Sequence, residues 1–220
     1  MRPQPDATCG LCPRLRDFRI AQQTAEPTWF NAPVPSFGAH DARLLVVGLA
    51  PGLRGANRTG RPFTGDFAGE VLYPALLSHG LAAGGFAARV DDGLALPDCR
   101  ITNAVRCVPP ANRPLPAEIT NCRRFLIDEL QGDAAPAVVL ALGRIAHETV
   151  LRAQGLTPRA FPFAHGAEHR LPSGQILLSS FHTSRYNINT GRLTTAMFDV
   201  VVSRATELLR TLQRGTAGVS

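Results

Sequence analysis

The sequence contains no lysine, so all 23 of its basic side chains are arginines. A loop that binds a nucleoside triphosphate needs Gly-Lys-Ser or Gly-Lys-Thr at its end, followed by a helix. The glycine-rich segment GLAPGLRGANRTGRPFTGD, which begins at the end of the apolar run Leu44–Gly48, therefore belongs to another kind of site. Its five glycines still suit a close approach between the backbone and a ligand.

No apolar run approaches the ~20 residues needed to span a bilayer. The first residues, MRPQPDATCG, also lack the apolar core of a signal peptide. We therefore expect a soluble, cytoplasmic protein with no membrane partner. The length of 220 residues suits one domain. A net charge of +6 is compatible with binding nucleic acid, but an excess of arginine can also reflect a GC-rich genome.

Apolar runs alternate with helical patterns along the chain. Buried strands are predicted over Leu44–Gly48 and over residues 99–108, 137–142 and 175–180. Helices are predicted over Pro116–Leu130 and over residues 67–79, 143–152 and about 193–214. Continuous apolar strands that alternate with helices form parallel sheets covered on both faces, so the predicted class is α/β. The polar loops after the four strands would then meet at one edge of the sheet, where ligands bind in such folds.

Five cysteines are present, and an odd number without a signal peptide argues against a disulfide framework. Cys9 and Cys12 have the spacing of a chelating pair, and Cys107 and Cys122 could supply a second pair. Four thiolates can hold a zinc ion or an iron–sulfur cluster. The second pair is spaced too widely for a zinc-ribbon knuckle, which favours a cluster. Alternatively, Cys107 and Cys122 are small core residues, as we expect for Cys99.

Several segments together resemble the uracil-DNA glycosylase superfamily and, within it, the iron–sulfur-containing type-5 class. They are the CxxC near the N-terminus, the glycine-rich segment, ITNAVRCVPPANRPLPAEITNCRRFL, ALGRIAH and HTSRYNINTGRL. The resemblance implies a three-layer α/β/α sandwich around a four-stranded parallel sheet. It also implies a structural [4Fe–4S] cluster on Cys9, Cys12, Cys107 and Cys122.

The activity implied by the resemblance is hydrolysis of the N-glycosidic bond of uracil, and of deaminated purines as well, in double-stranded DNA during repair. The alternative is a member that binds uracil-containing DNA with little or no catalysis. A third hypothesis, independent of the family, is a zinc-binding α/β protein with a small-molecule substrate. We expect one domain over residues 1–220, acting as a monomer, with residues 1–40 as an arm tied down by the cluster.

Three features of the sequence are typical of the type-5 class. Leu49 replaces the glutamate that type-4 enzymes carry in the first motif, whereas the GANRTGR insertion and Asp66 are typical of type 5. Thr183 is a departure, because many members of the superfamily have proline there.

Asp66 and His182 are the predicted catalytic residues. A carboxylate at Asp66 can stabilise the cationic sugar of the transition state and can orient or deprotonate water. The alternative for Asp66 is a helix N-cap, since it precedes a predicted helix. His182 would donate a hydrogen bond to the carbonyl oxygen of the departing base.

The remaining predicted site residues would hold the extruded nucleotide. Phe63 would stack on the base, Asn103 would read its polar edge, and Gly48 and Gly52 would let the backbone come close. For Phe63 and Asn103 the alternatives are a core residue and a loop cap. Possible further contacts to the base or the DNA are Asn112, Ser184, Arg185 and Asn187, although Asn112 could equally serve turn formation.

Overall fold

The computed structural model describes residues 3–132 and 134–217, with side chains described as far as residue 212. Its six strands form one sheet. They are β1 (Phe37–Gly38), β2 (Leu44–Gly48), β3 (Cys99–Asn103), β4 (Val138–Leu142), β5 (Glu168–Arg170) and β6 (Ile176–Ser180). The strand order is β1-β3-β2-β4-β6-β5.

The four central strands are parallel, and the outer strands β1 and β5 run antiparallel to their neighbours. The predicted parallel four-stranded core is therefore confirmed, but the predicted count of four strands was too low. Strands β1 and β5 have only two and three residues, and none of these residues is fully buried. Neither strand leaves an apolar run in the sequence.

Strand β2 is the point at which the strand order reverses. The chain passes from β2 to β3 on one side and then crosses to β4 on the other side of β2. Gly48 at the end of β2 is paired with Asn103 at the end of β3, so the two loops that follow leave the sheet at the same level. A ligand site is expected at this carboxyl edge, where the order of the strands switches.

Seven helices occur in the described part of the chain. They are α1 (Pro13–Ala25), α2 (Ala56–Thr59), α3 (Phe67–Ser78), α4 (Pro116–Leu130), α5 (Arg144–Ala153), α6 (Arg185–Asn189) and α7 (Thr195–Ala217). Helices α3 and α7 pack with Leu44 and Val46 on one face of the sheet, and α4 and α5 pack with Leu45 and Val47 on the other. The predicted three layers are confirmed. None of the described helices is long and apolar enough to cross a membrane.

Strand β3 ends five residues before the predicted boundary, at Asn103. The apolar residues that follow do not continue the sheet. Val105 instead packs with Leu15, Cys107 and Cys122 in a separate apolar cluster. A continuous apolar run does not distinguish a strand from the segment that leaves it for a second cluster, and this explains the error.

Helix α1 was not predicted and lies within the N-terminal arm. Its side chains are mostly polar, and its buried residues are Leu15 and Arg19. A helix with so little apolar surface gives no periodic signal.

Candidate functional site

A pocket of about 570 Å³ opens at the carboxyl edge of the sheet. Its walls come from the loop after β2, the end of β3, the turn at residues 110–112 and the loop after β6. Among the predicted site residues, those that line it are Gly52, Phe63, Asp66, Asn103, Asn112, His182, Ser184 and Arg185. Gly48 and Asn187 do not line it.

Gly48 gives two pocket side chains the space they occupy. A Cβ atom at Gly48 would lie 2.7 Å from Cζ of Phe63 and closer still to Oδ1 of Asn103. Gly52 and Gly55 do the same for the Asp66 carboxylate, since a Cβ at Gly52 would lie 3.1 Å from its Oδ2. The glycines of this loop therefore allow the pocket side chains to converge.

Phe63 adopts a left-handed backbone conformation, with φ of 52°, which is uncommon for an aromatic residue. The neighbouring backbone is held on both sides. The hydroxyl of Tyr73 donates to the carbonyl of Pro62 at 2.6 Å, and the hydroxyl of Thr59 donates to the carbonyl of Thr64 at 3.0 Å. Such conformations persist where the surroundings over-determine them, and they are frequent at ligand sites.

A buried ion pair holds the same segment from behind. Arg61 forms two hydrogen bonds to Asp92, at 2.8 and 2.7 Å, and a third from its Nε to the hydroxyl of Thr64 at 2.8 Å. The guanidinium lies 5.2 and 5.6 Å from the ring centroids of Phe37 and Tyr73. Arg61 lowers the pKa of the Asp92 carboxyl well below its usual range.

Asp66 is both a helix cap and a pocket residue. Its carboxylate accepts a hydrogen bond from the Gly69 amide at 3.3 Å at the start of α3. Burial raises the pKa of Asp66, and hydrogen bonds from the amides of Gly69 and Ala68 lower it in part. A carboxylate that lines a pocket and is shielded from water is a stronger base than one in solvent.

His182 lies in the loop after β6, with its ring 6.0 Å from the Phe63 ring between centroids. Burial lowers the pKa of His182 to about 4, so the imidazole is neutral at pH 7. No hydrogen bond joins this ring to another described residue. A neutral imidazole can present its N–H to a carbonyl oxygen of a ligand.

The residues after His182 hold its loop in place. Asn187 donates to the His182 carbonyl at 2.8 Å, and Ser184 caps α6. The Thr183 hydroxyl donates to the carbonyl of Ala68 at 3.2 Å, which ties this loop to α3 without the proline common in the superfamily. Arg185 lies over the Phe67 ring, 5.0 Å from its centroid.

Asn103 is 4 % exposed, and no described residue hydrogen-bonds to its side chain amide. The amide faces the pocket with one acceptor and two donors. Across the pocket, Ala111 and Asn112 have φ of 53° and 55°. Both residues of this turn therefore have an uncommon left-handed backbone conformation, and Asn112 also lines the pocket.

Four of the five cysteines line a second, small cavity. They are Cys9, Cys12, Cys107 and Cys122, whereas Cys99 lies in the core between the sheet and α3. The amide of Arg106 points at Cys122 Sγ, at 3.3 Å. In the described ranges, no three metal-ligating side chains form a group that could hold one metal ion. Four thiolates facing one cavity fit a [4Fe–4S] cluster, in which each iron atom takes one thiolate.

The N-terminal arm is fastened beside these cysteines. Arg14 binds the Glu118 carboxylate through two hydrogen bonds, each 2.8 Å long. Arg19 donates to the carbonyls of Ala7 and Cys9 at 2.7 and 2.6 Å. Cys9 and Cys12 are thereby held close to α4.

Sequence reasoning missed Arg61, Asp92 and Gly55. Asp92 is 31 residues from Arg61 along the chain, in a segment without a motif. The only available signal was the position of Arg61, two residues before the predicted stacking residue Phe63.

Comparisons with known proteins agree on one family. A family model described as "Uracil DNA glycosylase superfamily" matches residues 35–206. The type-5 uracil-DNA glycosylase of Thermus thermophilus is 48% identical over 206 residues, which cover 91% of this chain and 93% of that protein. The type-5 enzyme of Mycobacterium leprae is 42% identical over 92% of each chain. The type-4 enzyme of Archaeoglobus fulgidus is 36% identical, over 53% of this chain and 51% of its own length.

Proposed function

Because the chain belongs to the uracil-DNA glycosylase superfamily, and within it to the type-5 uracil-DNA glycosylases, we propose that its pocket receives a uracil nucleotide turned out of DNA. The protein is a DNA-repair hydrolase that cleaves the N-glycosidic bond of uracil and leaves an abasic site. One observation carries the assignment of the site: an aromatic ring, an amide without a hydrogen-bond partner among the described residues, a neutral imidazole and a half-buried carboxylate meet in one pocket.

The base has to leave the helix because its glycosidic bond is inaccessible within a duplex. The cavity of about 570 Å³ falls within the size range of small-ligand sites. Phe63 stacks on the extruded base, and Asn103 hydrogen-bonds to its polar edge. Both contacts orient the base without chemical participation.

His182 stabilises the leaving group. Negative charge grows on the base as the bond breaks, and an N–H aimed at its carbonyl oxygen lowers the barrier. Since burial keeps His182 neutral, it acts as a hydrogen-bond donor and not as an acid.

Asp66 acts on the sugar side. Its carboxylate stabilises the oxocarbenium-like sugar and orients the water that adds to it. Asp66 caps α3 through the same carboxylate, so the helix holds it towards the pocket. Asn112, Ser184 and Arg185 lie at the rim, where they contact the flanking DNA, while Asn187 positions the His182 loop.

Cys9, Cys12, Cys107 and Cys122 hold a [4Fe–4S] cluster. The cluster supplies no step of the reaction and joins the N-terminal arm to the segment between β3 and α4. A purified protein with this cluster is brown and absorbs near 400 nm, whereas a zinc protein is colourless.

The protein acts as a single-domain monomer on double-stranded DNA in the cytoplasm, and deaminated purines are further substrates. The continuous six-stranded sheet supports the single domain.

Turnover and binding separate this function from a protein that only binds DNA. The substrate is a labelled duplex with one uracil opposite guanine, treated with alkali to cleave abasic sites, and binding is followed by anisotropy. We expect cleavage by the wild type and little by Asp66→Asn or His182→Ala, with affinity largely kept. Equal affinity and no cleavage by all three proteins would favour the binding role.

A further inference from the structure

Besides the pocket and the cysteine cavity, a groove of about 440 Å³ lies next to the pocket. Helix α2 contributes to both, because Ala56 lines the pocket and Arg58 lines the groove. We call it the Trp29 groove and define it by Trp29, Phe30, Arg58, Arg89 and Val90.

Apolar and charged side chains line the groove together, and part of the apolar surface is open to solvent. Phe30 is 42% exposed and Val90 is 57% exposed. Trp29 is half-buried beside them, and apolar surface rimmed by polar side chains is typical of interaction sites.

Phe30 is fixed to α2. The amide of Phe30 donates to the carbonyl of Arg58 at 3.0 Å, and the Phe30 ring packs against Gly60, where a Cβ would lie 2.8 Å from the ring. The next residue, Asn31, accepts a buried hydrogen bond from Asn57 of α2 at 2.8 Å. The groove therefore has a defined position relative to the catalytic pocket.

Positive charge lies between the groove and the pocket. Arg54 and Arg58 are exposed, and no carboxylate in the described ranges pairs with either. Arg58 Nε donates to the backbone carbonyl of Arg54 at 2.9 Å, which holds the Arg58 guanidinium beside a residue that lines the pocket. Arg89 is neutralised by two hydrogen bonds to Asp91, at 3.0 and 2.8 Å.

We propose that the Trp29 groove binds unpaired nucleotides of the damaged strand, next to the nucleotide in the pocket. Trp29 and Phe30 stack on the bases, and Arg54 and Arg58 contact the phosphates between the two sites. Aromatic platforms beside cationic side chains bind single-stranded nucleic acid with little sequence preference. The inference rests on the proposed function, since it needs a damaged strand in the pocket.

Trp29 is the only tryptophan of the chain, so intrinsic fluorescence reports on the groove directly. The test uses the iron-loaded full chain and DNA with a 2′-fluorinated uracil nucleotide, which resists hydrolysis because the fluorine destabilises the cationic sugar. Three labelled DNAs are compared: a blunt duplex and two duplexes with a six-nucleotide single-stranded arm, placed on the 5′ or the 3′ side of the uracil. Anisotropy of the labelled DNA measures total binding.

We expect one of the two arms to quench Trp29 fluorescence and to tighten binding about fivefold or more, the effect of one stacked base. Phe30→Leu and Trp29→Leu should lose this arm-dependent gain. Val200→Ala, an exposed apolar change on α7, should keep it.

DNA binding with no change in Trp29 fluorescence for either arm would overturn the inference and leave the proposed function intact. Equal quenching by the blunt duplex would show that paired DNA occupies the groove and would contradict the binding of unpaired nucleotides there. No binding of any of the three DNAs would contradict the proposed function itself, and the inference would fall with it.

Discussion

Asp66 has two roles that substitution can separate. Asparagine keeps an acceptor for the start of α3, and it caps helices about as well as aspartate, but it carries no negative charge. Burial raises the pKa of Asp66, so above its unfolded pKa of 3.8 the ionised carboxylate lowers the stability of the fold. Asp66→Asn is therefore expected to be at least as stable as the wild type at neutral pH.

Alanine removes the cap as well as the charge. The difference between Asp66→Asn and Asp66→Ala isolates the cap, which is worth about 1 kcal/mol. For a chain of this size, about 1 kcal/mol corresponds to a difference in Tm of about 2–4 °C. Asp66→Ser is the matched control, because it caps the helix with a smaller uncharged side chain.

The rate of uracil release should depend on the negative charge at residue 66 and not on the helix cap. Loss of one preorganised electrostatic contact typically slows a reaction by about 10²–10³, or roughly 2.7–4 kcal/mol. Single-turnover release and thermal unfolding, measured on all four proteins, should show three slow variants of which only Asp66→Ala unfolds early. A wild-type rate for Asp66→Asn, or rates that follow Tm across the series, would refute a catalytic carboxylate.

Three further predictions concern the pocket and the residues that support it. The pKa of His182 falls from 6.5 to about 4 on folding, so acid favours the unfolded state, and stability should drop by up to about 3 kcal/mol between pH 6.5 and 4; urea titrations of His182→Gln should show a shallower pH dependence. Gly48→Ala should slow uracil release and change Tm little, because the added Cβ meets the Phe63 ring. A wild-type rate would show that the ring can move aside freely. Arg61→Met leaves the buried Asp92 carboxylate unpaired, so the urea midpoint should correspond to a loss of about 3–5 kcal/mol; an unchanged midpoint would contradict a structural role for the pair.

Strands β2 and β4 could be predicted from the sequence because they are continuous apolar runs, whereas β3 and β6 also contain polar residues. Every residue of the four strands is buried, including Arg100 of β3 and Ser180 of β6, so hydrophobicity alone marks only β2 and β4. The edge strands β1 and β5 and helix α1 were not predicted because they contain few buried apolar residues. Their stability comes from neighbours distant in the chain, as with Arg14 on Glu118.

The pocket residues could be predicted only from motifs. Phe63, Asp66, Asn103 and His182 come from three separate segments, and no spacing in the sequence relates them. Their properties depend on the fold, since burial sets the pKa of His182 and the Arg61–Asp92 pair holds the backbone beside Phe63. Neither burial nor a contact across 31 residues has a local pattern.

The most direct test of the account counts products from one duplex with a single uracil. Free uracil is quantified by mass spectrometry, and abasic sites are quantified by alkaline cleavage of the same sample. We expect equal amounts of both, with the strand intact until alkali is added, because hydrolysis of one N-glycosidic bond yields one free uracil and one abasic site and breaks no phosphodiester bond. A folded, brown protein that binds this duplex and releases no uracil would contradict the account.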